Sequence, residues 1–262
     1  MKIELTTITP EFAAKILENN PSNRNIKRDH VAAIARDMAA GRWQINGDAI
    51  RMNGDGSLID GQHRLSACVM AGVPFQTVVI TGLSHDVRAT IDGGAKRTHG
   101  DRLAMLGVHN ANVVSATARL VAGIATGQGR RMTMTSQELD AVLEANPGIH
   151  ASVSFANKAF PRMGSTLSAI HYIGTATGYG DKADRYVDVF RDGIPSYPGC
   201  AAHALRERII KHDAALSKYS TDQLIAAVCG TWRHFVTNTP VRQIKIVDDI
   251  RIPGWTREKA GF

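Results

Sequence analysis

Leu58-Ile59-Asp60-Gly61-Gln62-His63-Arg64-Leu65-Ser66-Ala67 is the stretch on which the fold of this chain turns. The apolar segment from Ala49 to Met52 precedes it and reads as a short strand. Asn53-Gly54-Asp55-Gly56 reads as the turn between the two. Asp, Gly, Gln, His and Arg thus fall in succession where a strand gives way to a helix. Glycine lets a ligand approach the backbone, and the N–H groups of a helix start attract anions. Arg64 can grip a phosphate bidentately, and His63 can donate, accept or shuttle a proton. Asp-Gly by itself is a common turn with solvated polar neighbours. Gln62, His63 and Arg64, directly before an apolar helical segment, add three functional side chains with no obvious structural task. The pattern points to a phosphate or nucleotide site.

Working outward, Ile3 to Ile8 alternates enough for a strand. Thr9-Pro10-Glu11 starts a helix, with Thr as N-cap and Pro at the first helical position. Its apolar face is Phe12, Ala13, Ile16 and Leu17, and Asn19-Asn20-Pro21 ends it. A polar loop, Ser22-Asn23-Arg24-Asn25, leads to a second helix with Val31, Ile34, Ala35 and Met38 on one face and Gly41 as its stop. After the Asp-Gly loop, Leu65 to Ala71 reads as a short helix closed by Gly72, and Phe75 to Ile80 as a buried strand. Ser84 is expected to cap a further helical turn. Ile91-Asp92-Gly93-Gly94-Ala95-Lys96-Arg97-Thr98 is a second polar, glycine-rich loop.

From about Asp101 helical patterns dominate, roughly over 101–106, 111–125, 136–145, 148–159, 165–177, 182–191, 200–215 and 221–237. Thr135 with Glu138, and Ser220 with Gln223, fit capping boxes. The tail from Val241 to Ile252 alternates weakly and is expected as a strand or an extended segment. The fold class is therefore α/β, with a small N-terminal domain over 1–105 and an all-helical part over 106–262.

The chain has 262 residues, 44% apolar and 21% charged, as in an ordinary globular protein. No apolar run approaches a membrane span, and Met1-Lys2-Ile3-Glu4 does not read as a signal peptide, so no membrane partner is expected. Cys68, Cys200 and Cys229 are far apart and odd in number. They form neither a zinc pattern nor a disulfide framework, and each is expected as a small buried hydrophobe in a reducing cytoplasm. The net charge of +7 divides as +2 over residues 1–100 and +5 over 101–262, a balance compatible with nucleic acid and equally with many basic enzymes.

At the Asp60–Arg64 loop the chain resembles the ParB/sulfiredoxin superfamily, and more closely the ParB-like nuclease-domain proteins of phages and actinobacteria. The matching residues are Asn23-Arg24-Asn25, Ala35-Arg36-Asp37-Met38, Gly41-Arg42-Trp43-Gln44-Ile45-Asn46-Gly47 and Asp60 to Ala67. They continue through Ile91-Asp92-Gly93-Gly94 and Arg97-Thr98, so the likeness covers about residues 1–105. The resemblance implies a small α/β domain that binds a nucleoside triphosphate, ATP or CTP. Gly61, Gln62, His63 and Arg64 would face the phosphates. Asn23, Arg24 and Asn25 would lie in a first nucleotide-contacting loop, with Arg97 and Thr98 in a third. The Glu-Asn that usually precedes the third motif's arginine is replaced by Ile91-Asp92-Gly93, which sets this chain apart from the CTP-dependent clamps of chromosome segregation. Gln62 stands where sulfiredoxin has its reactive cysteine, so the sulfiredoxin reaction is excluded. A bacterial host cytoplasm would be the location if the chain is phage-encoded.

Gly94-Ala95-Lys96-Arg97-Thr98 lacks the spacing of a P-loop. The histidine pairs His203/His212 and His99/His109 lack tight metal-ligand spacing. Asp48, Asp60 and Asp92 are carboxylates of the type that holds Mg²⁺ beside phosphates, Asp60 foremost. Trp43 is expected between the second helix and the sheet, with base stacking as the alternative. Arg130 and Arg131 sit in a basic loop, and Arg206 and Arg208 on a basic amphipathic helix. Each pair is a candidate for DNA-backbone contact, or simply a solvated loop and a core-covering helix.

Three functions follow. The first is a nucleotide-binding, DNA-associated protein with NTPase or nuclease activity, in which His63 and Asp60 do the chemistry and Mg²⁺ assists. The second is a phosphotransferase acting on a small molecule or a base. The third is a non-catalytic nucleotide sensor. A homo-oligomer is compatible with all three.

Overall fold

The computed structural model describes residues 1–20, 25–84, 87, 91, 97–211, 220–244 and 249–261. It is a mixed α/β structure with a four-stranded sheet at the N-terminus and helices after it. Two compact units emerge. The first comprises Met1–Lys96 with Thr133–Gln137, and the second Arg97–Met132 with Glu138–Phe262.

In the first unit, β1 (Lys2–Ile8) is followed by α1 (Pro10–Glu18), α2 (Arg28–Ala39), β2 (Ala49–Asn53), β3 (Leu58–Asp60), α3 (Gln62–Ala71) and β4 (Phe75–Leu83). Thr9 caps α1 as its sequence predicts, the Oγ1 accepting from Phe12 N–H at 3.2 Å with Pro10 at the first position. The strand order is β1-β4-β2-β3. β2 and β3 form an antiparallel hairpin, and α3 is the crossover that returns the chain to run β4 parallel to β2. Ile8, Ile16, Val31, Ile50, Leu65 and Phe75 meet in one core with the apolar faces of the three helices. Ile3 and Leu5, of the opposite parity on β1, are 58% and 62% exposed, so the helices cover one face of the sheet. For this reason β4 is half-buried along Val78–Thr81 rather than the fully buried strand its β-branched run suggests. Trp43 packs edge-on against Phe75 at 5.1 Å and donates from Nε1 to Gln76 O, which assigns it to the core. Cys68 is a free, buried thiol whose pKa burial pushes up to about 11.

The second unit contains α4 (His99–Met105), α5 (Ala111–Thr126), a 3-10 turn (Gly129–Arg131), α6 (Ser136–Ala145) from Glu138 onward, α7 (Ile149–Ala156), α8 (Gly164–Ala176), α9 (Gly180–Asp192), α10 (Ala201–Lys211) and α11 (Thr221–Val236). The division falls at 96/97 rather than near 105. His99 of α4 is tied to Ser115 of α5 at 2.8 Å and to Asp140 of α6 at 3.0 Å, and this draws the whole of α4 into the helical unit. Tyr186, Phe190, Trp232 and Phe235 form the aromatic centre of the unit. Gly174 admits Trp232 so closely that a Cβ there would stand 2.7 Å from the indole. The Ser220–Gln223 capping box of α11 is present. Among the described residues the C-terminal tail forms no strand. It packs in extended turns, with Trp255 Nε1 donating to Val121 O at 2.9 Å. Val87 N–H donates to Ser84 O at 3.2 Å, a turn where the sequence predicts one, while residues 85–86, 88–90 and 92–96 lie outside the described residues.

Candidate nucleotide-phosphate site

The hairpin that presents the loop is fixed by Asn53. This buried amide accepts from the N–H groups of Asp55 and Ser57 and donates to Ser57 Oγ, closing the turn. β3 then ends at Asp60, and Gly61 takes φ +110° and ψ 3°, a backbone conformation that L side chains rarely adopt. Ile50 lies against Gly61, so that a Cβ would stand 2.4 Å from its Cδ1. Gly61 is the cap of α3, which begins at Gln62. Gln62, His63 and Arg64 are therefore the first turn of a helix rather than loop residues before one that starts at Leu65. Their N–H groups have no acceptor inside the helix, which gives this end its positive potential.

Asp60 holds the turn together. One oxygen accepts from Gly61 N–H at 2.7 Å, and the other from Arg51 Nη1 at 2.7 Å and Arg64 Nη2 at 3.1 Å. Arg64 Nη2 also donates to Ala49 O at 2.9 Å, and the side chain is only 12% exposed. Its Nη1 is buried and has no hydrogen-bond partner. Arg51, Asp60 and Arg64 together leave one positive charge at the start of α3.

His63 Nε2 accepts from the Lys27 N–H at 3.1 Å, and its ring meets that of His30 at 5.3 Å. On the other flank of the same polar loop, Asn20 Nδ2 donates to Gln62 Oε1 at 3.4 Å, and Leu58 N–H donates to Asn19 O at 3.0 Å. Asn19, Asn20 and Lys27 are thus tied to the hairpin and the Asp60–Arg64 turn, some forty residues away in sequence. Asn25, Lys27 and Arg28 are exposed, and Asn23 and Arg24 lie outside the described residues.

Arg97 and Thr98 belong to the second unit. Thr98 is the N-cap of α4 in a capping box with Asp101, whose carboxylate accepts from Thr98 N–H at 2.9 Å. Those hydrogen bonds hold the Asp101 carboxyl below its ordinary value. Arg97 is exposed. Arg130 and Arg131 are exposed on the 3-10 turn. Arg206 donates to Phe190 O at 3.1 Å, pairs with Glu207 at 2.9 Å and lies against Gly193, while Arg208 donates to Ile244 O. Both α10 arginines are therefore engaged in holding helix ends and tail.

Among the described residues no three His, Cys, Asp or Glu side chains group to hold a metal ion.

Sequence reading missed Arg51, Asn20, Lys27 and His30 at this turn. The symmetric hairpin Arg51…Asp60 could have revealed Arg51, but a bulge between Arg51 and Met52 shifts the register and hides it. It also missed two Ser–His–Asp clips in the second unit, Ser115–His99–Asp140 and Ser152–His171–Asp184. In the latter, His171 lies 2.9 Å from Ser152 and 2.8 Å from Asp184. Both serines are buried and Asp184 is 57% exposed, the reverse of a hydrolase, in which substrate must reach the serine. The clips each join three helices and serve packing.

Compared with known proteins, the chain matches no family model, no curated protein and no solved structure.

Proposed function

We propose that the start of α3, with the loop before α2, binds the phosphates of a nucleoside triphosphate such as ATP or CTP. The observation that carries this reading is the pair of tethers, Lys27 N–H to His63 and Asn20 to Gln62. They hold Asn20 and Lys27 beside the first turn of α3, and this supports a phosphate site at that helix N-terminus. The donor set suits phosphate. Arg64 has an unsatisfied, buried Nη1, and a modest side-chain rotation away from Ala49 O would turn the guanidinium toward an anion at the helix start. Exposed Lys27 and Arg28 add charge at the rim. Mg²⁺, when bound, would be carried chiefly by the phosphates, neutralising them.

Of the catalytic and non-catalytic readings, one observation favours the second. His63 Nε2 and both oxygens of Asp60 are already committed to hydrogen bonds that shape the turn. A general base needs its lone pair free for the proton it takes, and the lone pair of His63 Nε2 is occupied. We therefore assign Asp60 and His63 as positioning residues, and the protein as a nucleotide-responsive, DNA-associated regulator. Hydrolysis or phosphoryl transfer is the alternative.

The test is a thermal-shift screen of the full chain against ATP, CTP, GTP and UTP with Mg²⁺, since a ligand that binds the folded state raises its melting temperature. Binding of at least one is expected. Arg64→Ala should weaken it by about 1.5–3 kcal/mol, the loss of a charge-assisted hydrogen bond. No shift with any nucleotide refutes the site, and turnover that His63→Ala abolishes without loss of affinity restores the catalytic reading.

A further inference from the structure

The chain holds two Asn-Gly pairs, Asn46-Gly47 and Asn53-Gly54, and the fold treats them oppositely. Asparagine is a labile side chain, most of all before glycine, which has no Cβ to shield its backbone nitrogen from the carboxamide. Each carboxamide is folded over its glycine by the same local bond. Asp48 N–H donates to Asn46 Oδ1 at 3.0 Å, and Asp55 N–H to Asn53 Oδ1 at 3.2 Å. The surroundings differ. Asn53 is 2% exposed, its Oδ1 also accepts from Ser57 N–H, and its Nδ2 donates to Ser57 Oγ at 2.6 Å across the hairpin. Turning that carboxamide would break three hydrogen bonds in the interior.

Asn46 lies in the connection between α2 and β2. Asn46, Gly47 and Asp48 are all exposed, and nothing stands within 4 Å of where a Cβ on Gly47 would be. The other bond of the Asn46 carboxamide, Nδ2 to Asp48 Oδ2 at 3.3 Å, ends on the same neighbour as the first. A turn closed by a residue two positions on opens by local motion alone, without disturbing the sheet. Among the described residues the Gly47 N–H donates to no acceptor.

We propose that Asn46 is a deamidation site of the native chain, converted to aspartyl and isoaspartyl forms while Asn53 persists. The Gly47 nitrogen bonds to Asn46 Cγ, and the Cγ–Nδ2 bond breaks. Nδ2 leaves as ammonia, and the proton given up by Gly47 N–H balances it. Water, the sole co-reactant, then opens the cyclic succinimide. Opening at Cγ gives aspartate. Opening at the main-chain carbonyl gives isoaspartate, in which the chain runs through the side-chain carbonyl. Either product sets a second carboxylate beside Asp48, and the like charges repel. The Asp48 carbonyl accepts from Thr77 Oγ1 of β4 at 3.0 Å, so the modification falls where the chain enters the sheet. It does not depend on what the turn at α3 binds.

The experiment is incubation of the full chain in warm, mildly alkaline buffer, with tryptic peptide mapping by mass spectrometry over time. Trypsin cuts after Arg42, Arg51 and Arg64, so the two asparagines fall on separate peptides. The peptide with Asn46 is expected to gain the mass of deamidation and to accept a methyl group from an isoaspartyl methyltransferase. A sample taken before incubation sets the background. Asn53 should react at least about tenfold more slowly, because its reaction waits on opening of the hairpin. In urea, where both turns are open, the two rates should converge. The Asn46 rate should rise with pH, since the Gly47 nitrogen must shed its proton to attack. Asn46→Gln should abolish the fast modification and leave the circular dichroism unchanged. Equal rates at Asn46 and Asn53 in the native chain, or an Asn46 that stays intact while the urea-unfolded chain reacts, overturns the proposal.

Discussion

Gly61→Ala is the perturbation that tests how the α3 turn is built. Two independent costs are visible. At φ +110° an alanine lies outside the regions open to L residues, a strain of about 1–3 kcal/mol. Its Cβ would also stand 2.4 Å from Ile50 Cδ1 and 3.4 Å from Ile50 Cα. Ile50 is fully buried and cannot swing into solvent, so this overpacking adds about 1–3 kcal/mol. The sum is a loss of roughly 2–6 kcal/mol. Ile50→Val removes Cδ1. By itself it should cost about 0.5–1.5 kcal/mol, but it relieves the clash, so Gly61→Ala should cost at least about 1 kcal/mol less in that background. The backbone strain should remain. Urea unfolding of wild type, both single variants and the double variant, followed by far-UV circular dichroism, gives the four stabilities. Hydrogen exchange of α3 amides places the loss in the first unit. Equal cost of Gly61→Ala in both backgrounds would refute the clash. A cost under about 0.5 kcal/mol would refute the strained turn altogether.

Thr117→Val should stabilise the second unit by up to about 1 kcal/mol in thermal unfolding, because the buried Thr117 hydroxyl has no hydrogen-bond partner and the swap keeps the shape; a loss of stability would mean the hydroxyl is satisfied. Thr98→Ala should cost about 1 kcal/mol through the lost cap of α4. Asp101 is held below its ordinary pKa, so its contribution is present above the unfolded value and is lost as pH falls through the folded one. The cost of Asp101→Asn should therefore shrink in acid, and a pH-independent cost counts against the capping box. Ellman's reagent should label no cysteine rapidly in the native chain and all three after denaturation. All are buried, and the Cys68 and Cys229 thiols are pushed up to about 11 and about 12; fast native labelling would contradict that burial.

Local signals were legible in the sequence because their causes lie within a turn or two. Thr9 with Pro10, Gly72 after α3, and the Ser220–Gln223 box set helix ends through bonds spanning three or four residues. The alternation of β1, the Asn53–Gly56 turn and the helical periods after residue 100 were likewise enough for a small sheet followed by helices. The Asp60–Arg64 run could be singled out because glycine and three polar side chains preceding an apolar helix are locally unusual.

What those side chains touch was decided by packing. Arg51 reaches Asp60 only through a bulged hairpin, and Arg64 turns back to the Ala49 carbonyl because β2 runs beneath it. His63 finds its partner 36 residues away at Lys27, and Trp255 finds Val121 at a separation of 134. Gly61 is needed not for flexibility but because Ile50 fills the space where its Cβ would be. Burial removes water as the alternative partner, so each polar group must bond to whatever the fold places beside it, and no short window of sequence contains that neighbour.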